Sequence, residues 1–223
     1  MNKKNVLIVV AHPDDEILGC GGLIAKNNQL YNYHVLILTD GTAGRYDESQ
    51  QQALISAVKK ANNIVGTHHF HIEKFPNQGL DTLPLTEIAQ CVEHYIASIQ
   101  PFQVYTHHIG DLNMDHRITH EAVKLACRPM PGQIVKELYS FYIASSTEWN
   151  MIENEQVFIP NTFVDIENVL DQKIKALACY QSENKVFPHP RSAKGLKVLA
   201  HYWGMMSGIE CAEPFKLIRK LAD

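Results

Sequence analysis

Apolar positions arrive along this chain in two rhythms. NVLIVV at residues 5–10 and HVLILTDG at 34–41 are short, nearly unbroken aliphatic runs, which predicts strands buried on both faces. After each run the apolar residues recur at helical spacing. GCGGLIAKNNQL predicts one helix, and residues 47–65 a second that opens on acids and stops at Gly66. THHFHIEKF reads as a third strand, LTEIAQCVEHYIASIQ as a helix ended by Pro101, FQVYTHH as a fourth strand, and Ile118 to Cys127 as a further helix. Strand alternating with helix predicts an α/β fold, a Rossmann-like and mostly parallel sheet with helices on both faces.

Beyond about residue 130 the rhythm changes. RPMPGQ is a loop, KELYSFYIAS and FIPNTFVDI read as strands, and DQKIKALACY and LKVLAHYWGMMSG read as helices separated by the proline-rich FPHPRS. No flexible linker precedes this C-terminal extension, so residues 131–223 are expected to pack on the 1–130 core as one domain over 1–223. Trp149, Trp203 and the YWGMM run are assigned to core packing, and the aromatics of residues 139–149 are a candidate homo-oligomer interface.

Composition removes several classes of function. The formal charge is −4 and no Lys/Arg run exceeds two, so the footprint of a nucleic-acid binder is missing. Five scattered cysteines without a CxxC pair argue against a disulfide framework or a thiolate zinc site and fit a cytoplasmic protein. The first apolar run is too short for a signal peptide, and nothing later reads as a membrane span.

The chemistry is concentrated in AHPDDE, residues 11–16. Three neighbouring acids repel one another, and burial at a strand end worsens the repulsion, so a cation is expected there. In an open doubly wound sheet the first and fourth strands are commonly neighbours, and ligands bind beyond their carboxyl ends. AHPDDE follows the first strand and THHIGDLNMDHR the fourth. His12, Asp15 and a histidine from DHRITH make a suitable ligand set for a catalytic zinc with one position open to water. Asp14 is then free to take a proton from that water. The plainer reading of the acids is a helix N-terminus set against the macrodipole, and Glu16 need do no more. GCGG lacks the GxGxxG spacing of a dinucleotide loop.

VVAHPDDEILGCGG, LTDG, FPNQGLDTLP, YTHHIGDLNMDHR and FPHPRS, in this order from Val9 to about Phe215, resemble the LmbE and PIG-L family of metal-dependent N-acetylglucosaminyl deacetylases. The resemblance implies zinc on His12, Asp15 and His116, with Asp14 as base; iron(II) would suit the same ligands. It implies a small-molecule substrate carrying an N-acetylated amino sugar: a glycolipid intermediate, a thiol-glycoside precursor, a nucleotide sugar or an antibiotic.

One departure matters. Better-known members carry HPDH where this chain has NMDH, so Asn113 replaces a histidine that helps stabilise the oxyanion or protonate the leaving amine. Candidates for the missing acid or cation are His189, Arg191, and one of His107 and His108, which face opposite ways on a strand; His108 is preferred. Asp115 is expected to orient His116 or cap a helix, and His120 is not needed. Arg45 and Asp81 are candidates for gripping sugar hydroxyls, or are solvated loop charges. Two rivals stay open: a single-metal phosphoesterase, and a metal or sugar binder without catalysis.

Overall fold

The structure, a computed structural model, describes residues 3–41, 48–150, 156–181 and 185–222. The elements run β1 (Lys4–Val10), α1 (Asp15–Asn27), β2 (Tyr31–Thr39), α2 (Glu48–Val65), β3 (His69–Phe75), α3 (Leu85–Ile99), β4 (Gln103–Thr106), α4 (Met114–Ala126) and β5 (Glu137–Phe141). Then come β6 (Thr162–Asp165), α5 (Leu170–Leu177), α6 (Ala193–Ser207) and β7 (Ala212–Lys220).

The strands form one sheet in the order β3-β2-β1-β4-β5-β7-β6. The first five pair in parallel, and only β7 runs against its neighbours β5 and β6. The aliphatic run of β1 divides between two cores because successive side chains point to opposite faces. Val6, Ile8 and Val10 pack towards α1, α2 and α5, whereas Leu7 and Val9 pack towards α3 and α4. The chain builds outward through β2 and β3, then crosses back so that β4 lies beside β1, with Val6 paired to Gln103 and Ile8 to Tyr105. The crevice of an open α/β sheet falls where the strand order reverses, which here is between β1 and β4.

Four details differ from the sequence reading. Helix α4 starts at Met114 instead of Ile118, because the Asn113 side chain caps it by accepting the Asp115 N–H at 2.9 Å. Strand β7 has no clear sequence signal, since Pro214 and the charges of AEPFKLIRK break the apolar alternation. Of the aromatics at 139–149, Tyr139 and Phe141 are buried, with Tyr139 stacked on Tyr105, which leaves Tyr142 half-buried and Trp149 at the surface. Trp203 is buried as expected, but Trp149, Tyr202, Met205 and Met206 are exposed.

The GCGG stretch is explained by close approach. Both Glu213 carboxylate oxygens accept backbone N–H groups from inside α1, Gly22 and Leu23 each at 2.6 Å. Lys173 Nζ pairs with the same carboxylate at 2.6 Å and donates to the Leu18 carbonyl at 2.8 Å. A Cβ on Gly22 would stand 2.8 Å from Glu213 Oε1 and 2.6 Å from Ile166, so only glycine admits the ion pair.

Candidate active site

Both chemically rich segments leave the carboxyl ends of neighbouring strands. His12 follows β1 and Asp15 opens α1; His107 follows β4 and His116 lies in the first turn of α4. The two helix starts bring three donor atoms together. His12 Nδ1 lies 3.3 Å from His116 Nε2 and 3.3 Å from Asp15 Oδ2, and the last two are 3.2 Å apart. Asp15 and His116 are buried, while His12 keeps 13% of its side chain exposed towards a cavity.

The outward nitrogens fix what the inward ones offer. His12 Nε2 is 3.0 Å from Asp115 Oδ2, and His116 Nδ1 is 3.0 Å from Asp111 Oδ1. Protons held there leave lone pairs on His12 Nδ1 and His116 Nε2, pointing with Asp15 Oδ2 at one spot. A tetrahedral ion with ligands at about 2.0 Å has edges of roughly 3.3 Å, which this triangle matches. Two imidazoles and a carboxylate, each imidazole backed by a further carboxylate, suit a divalent metal. The outer carboxylates are themselves anchored: Asp115 accepts the Leu80 N–H at 3.1 Å, and Asp111 accepts the Ser146 and Thr147 hydroxyls. Sequence reasoning paired Asp115 with His116; the structure gives it His12, and Asp111 takes the place expected of it.

The charge balance is visible in the proton affinities. Burial depresses the His116 imidazole, but the Asp15 charge and acceptors on Asp111 and Asp15 outweigh it and raise its pKa to about 10. Asp111, resisting its own burial through His116, is held down to about 2. The pocket attracts positive charge, and a metal competes with protons for it.

Asp14 stands beside the trio without joining it. Its backbone has φ 103°, a left-handed conformation that few non-glycine residues adopt and that marks strained functional turns. Glu16 stabilises that turn by accepting the Asp14 N–H at 3.0 Å, while its other oxygen accepts from Asn62 at 3.0 Å and from the Tyr180 hydroxyl. Glu16 is fully buried, and desolvation lifts its pKa to about 7. Its role therefore exceeds the helix-dipole reading. The Asp14 carboxylate is met by Arg191 Nη1 at 3.1 Å, across the cleft from FPHPRS.

The other sequence candidates divide. Arg191 and Asn113 line the cavity with His12, Asp14, Asp15 and His116, although the Asn113 oxygen is engaged as the α4 cap. His189 is not among the lining residues. Its Nδ1 accepts the Arg191 N–H at 3.2 Å and its ring packs edge-on to Trp149. His108 points away and donates to the Gln156 carbonyl at 3.0 Å, so strand alternation selects His107. His107 stacks on His116 at 3.9 Å between ring centres and accepts the Ala11 N–H at 2.9 Å, staying neutral because burial holds its pKa well down. His120 meets the His107 carbonyl, at 2.8 Å, and not the trio. Asp81 is exposed outside the cavity; Asn77 and Gln78 of the same loop line it instead. Arg45 lies outside the described residues. Tyr180, from the end of α5, escapes sequence reasoning, since an aromatic after a helix carries no signal of the site it reaches.

The cavity measures about 630 Å³ and extends from the trio along α2. That is room for a ligand larger than one small polar group.

Comparison with known proteins fixes the class. The profile of PIG-L, GlcNAc-PI de-N-acetylase, matches residues 7–127, which hold both clusters. This chain is an N-deacetylase, a hydrolase of an amide C–N bond. It belongs to the PIG-L family, also called LmbE-like. It is 28% identical to the diacetylchitobiose deacetylase of Thermococcus kodakarensis, over 96% of this chain and 83% of that protein. The conserved protein TT1542 from Thermus thermophilus superposes with a TM-score of 0.78 at 25% identity, covering 98% of this chain and 96% of that one. GalB, the 4-carboxy-2-hydroxymuconate hydratase of Pseudomonas putida KT2440, superposes at 0.74 with 22% identity, covering 99% and 98%. That last likeness shows the fold alone, and the fold hosts more than one reaction.

Proposed function

We propose that this chain removes the acetyl group from an N-acetylated amino sugar, with zinc held by His12, Asp15 and His116. The observation that carries the reading is the convergence of three lone pairs beside a further carboxylate, Asp14, on a strained turn at the mouth of a cavity. The relatives' sugar deacetylase activity supports it. Residues 1–223 are taken to work as one domain, since β5, β6 and β7 complete the sheet that carries the site.

When bound, the metal supplies Lewis acidity to the acetyl carbonyl and to water. The chain's own residues supply the rest. Asp14 accepts a proton from the attacking water, held ready by the Glu16 contact to its peptide N–H. Arg191 places a permanent cation in the cleft where the family pattern has a histidine and this chain has Asn113, and it steadies the developing oxyanion. Asp14, once protonated, passes its proton to the departing amine. His189, given the acid's role from sequence, is reassigned to holding Arg191 in place through the Arg191 N–H.

The test is free-amine release by zinc-loaded protein across lipid-linked, nucleotide-linked and simple N-acetylated glycosides, beside Asp14→Asn. Release from one class, lost about 10²–10⁴-fold in the variant with metal retained, is expected. Release of phosphate from a generic ester instead, or full turnover in Asp14→Asn, would overturn the assignment.

A further inference from the structure

THHFH, residues 67–71, plays no part in the chemistry of the active site, yet the fold sets its histidines against one from the neighbouring strand. His69 opens β3 and pairs across the sheet with His34 of β2, so both side chains stand on the same face. His68 is held at the strand entry by its N–H, which donates to the Tyr33 carbonyl at 2.8 Å. The imidazole ring centres lie 4.3 Å apart from His68 to His69, 5.4 Å from His34 to His68 and 5.6 Å from His34 to His69. His34 is only 9% exposed, and its Nδ1 is buried with no hydrogen-bond partner among the described residues.

We propose that His34, His68 and His69 form a second metal site, which takes an exchangeable divalent ion of the zinc, copper(II) and nickel(II) class. An ion holding imidazole nitrogens at about 2.0 Å sets their ring centres roughly 4.5–5.2 Å apart, from square to tetrahedral angles, and the observed triangle brackets that range. As the rings stand, their nitrogens do not converge as those of the catalytic trio do. A half-turn about the Cβ–Cγ bond exchanges nitrogen and carbon corners and leaves the ring centre in place, so any corner but Cγ can present a nitrogen. His68 and His69 are exposed, which gives their rings room to turn. The ion then supplies the partner that the buried His34 nitrogen lacks.

The donor atoms select the ion. Imidazole nitrogen suits zinc, copper and nickel, and no carboxylate belongs to the group to favour magnesium or calcium, since Glu73 further along β3 is engaged by the Tyr95 hydroxyl at 2.6 Å. The rings are also neutral, as a metal requires. Burial first, then repulsion from His68, His69 and His71, lowers the His34 pKa to about 4, and burial with His69 lowers that of His68. Without an anionic ligand the site holds its ion less firmly than the active site does, so dialysis strips it and titration reveals it.

The position gives the site a use. β3 is the edge strand, paired with β2 alone, and its carboxyl end leads to Asn77 and Gln78, which line the active-site cavity. An ion bridging His34 to His68 and His69 ties the amino end of that strand to the sheet.

The experiment is a calorimetric zinc titration of the full chain, its active site loaded beforehand and excess metal dialysed away. One further equivalent is expected, with a thermal midpoint that rises as zinc is added. His69→Ala and His34→Phe should each abolish both effects and leave the active-site equivalent and the circular dichroism spectrum unchanged, whereas His94→Ala should keep both. His69 is exposed, so its variant tests the site without disturbing the core. Magnesium in place of zinc should add no equivalent. The count needs no substrate, so its outcome is independent of the deacetylase reading. No further equivalent in wild type, a further equivalent that survives His69→Ala, or equal uptake of magnesium would each overturn the proposal.

Discussion

Two buried charge clusters touch the same helix, one at its start and one at its middle. Around the middle of α1, Glu213 meets one Lys173 ammonium and two backbone N–H groups, so every charge there has its opposite. At the start, Asp15, Asp111 and Asp115 are met by the imidazoles of His12 and His116, with lone pairs turned inward. The first cluster is complete in itself and tethers α1 to α5 and β7. The second has surplus negative charge and is complete only with a cation. Buried carboxylates therefore announce function by what they lack, not by being buried.

The contrast breaks most sharply at the ligands. Asp15→Asn removes the one anionic corner of the triangle, and stoichiometric metal and turnover should both vanish while the fold persists. Metal analysis by atomic absorption after dialysis checks this; one equivalent retained would take Asp15 out of the ligand set.

The complete cluster should fail differently. Lys173→Met leaves Glu213 buried and uncompensated, and should lower the unfolding free energy by about 3–5 kcal/mol. Replacing both partners by apolar residues should recover most of it, since a well-packed apolar pair often equals a buried ion pair. Urea denaturation measures the loss, and metal bound per folded molecule should stay at wild-type level in both variants. Parallel loss of metal would mean that the two clusters act as one.

The sequence shows this division only partly. The sheet, its helical layers and the meeting of AHPDDE with NMDH at the β1–β4 crevice are legible because strand runs and helical spacing are local signals and the parallel topology allows few arrangements. What lies around the trio is not. Asp111 and Asp115 cannot be matched to their imidazoles from sequence, because that depends on where α4 starts, and Asn113 moves the start by four residues. His107 and His108 differ only in strand parity, which a shift of one residue reverses. Glu213 and Lys173 lie 40 residues apart in a stretch whose strand pattern Pro214 interrupts, so the meaning of GCGG emerges only where both meet α1.

A finer test concerns the carboxylate behind a ligand. Asp111 touches no proposed metal position, yet it holds the His116 Nδ1 proton that keeps Nε2 facing inward. Asp111→Asn should weaken metal binding about 10–100-fold. Competition with a coloured chelator measures it, and unchanged affinity would make the contact incidental.

The smallest effect is a proton count. In metal-free protein His116 has its pKa raised from 6.5 to about 10, so its contribution to stability is fully present below about pH 6.5. That contribution is lost as pH climbs towards 10, because the folded state gives up the proton that the unfolded state no longer holds. The metal needs the same nitrogen deprotonated, so its affinity should rise with pH across that window. Calorimetry at about pH 8 in buffers of different ionisation enthalpy should show at least one proton released per metal bound. Release of none would mean that His116 already stands neutral, and that the excess of negative charge distinguishing this cluster from Lys173–Glu213 is relieved some other way.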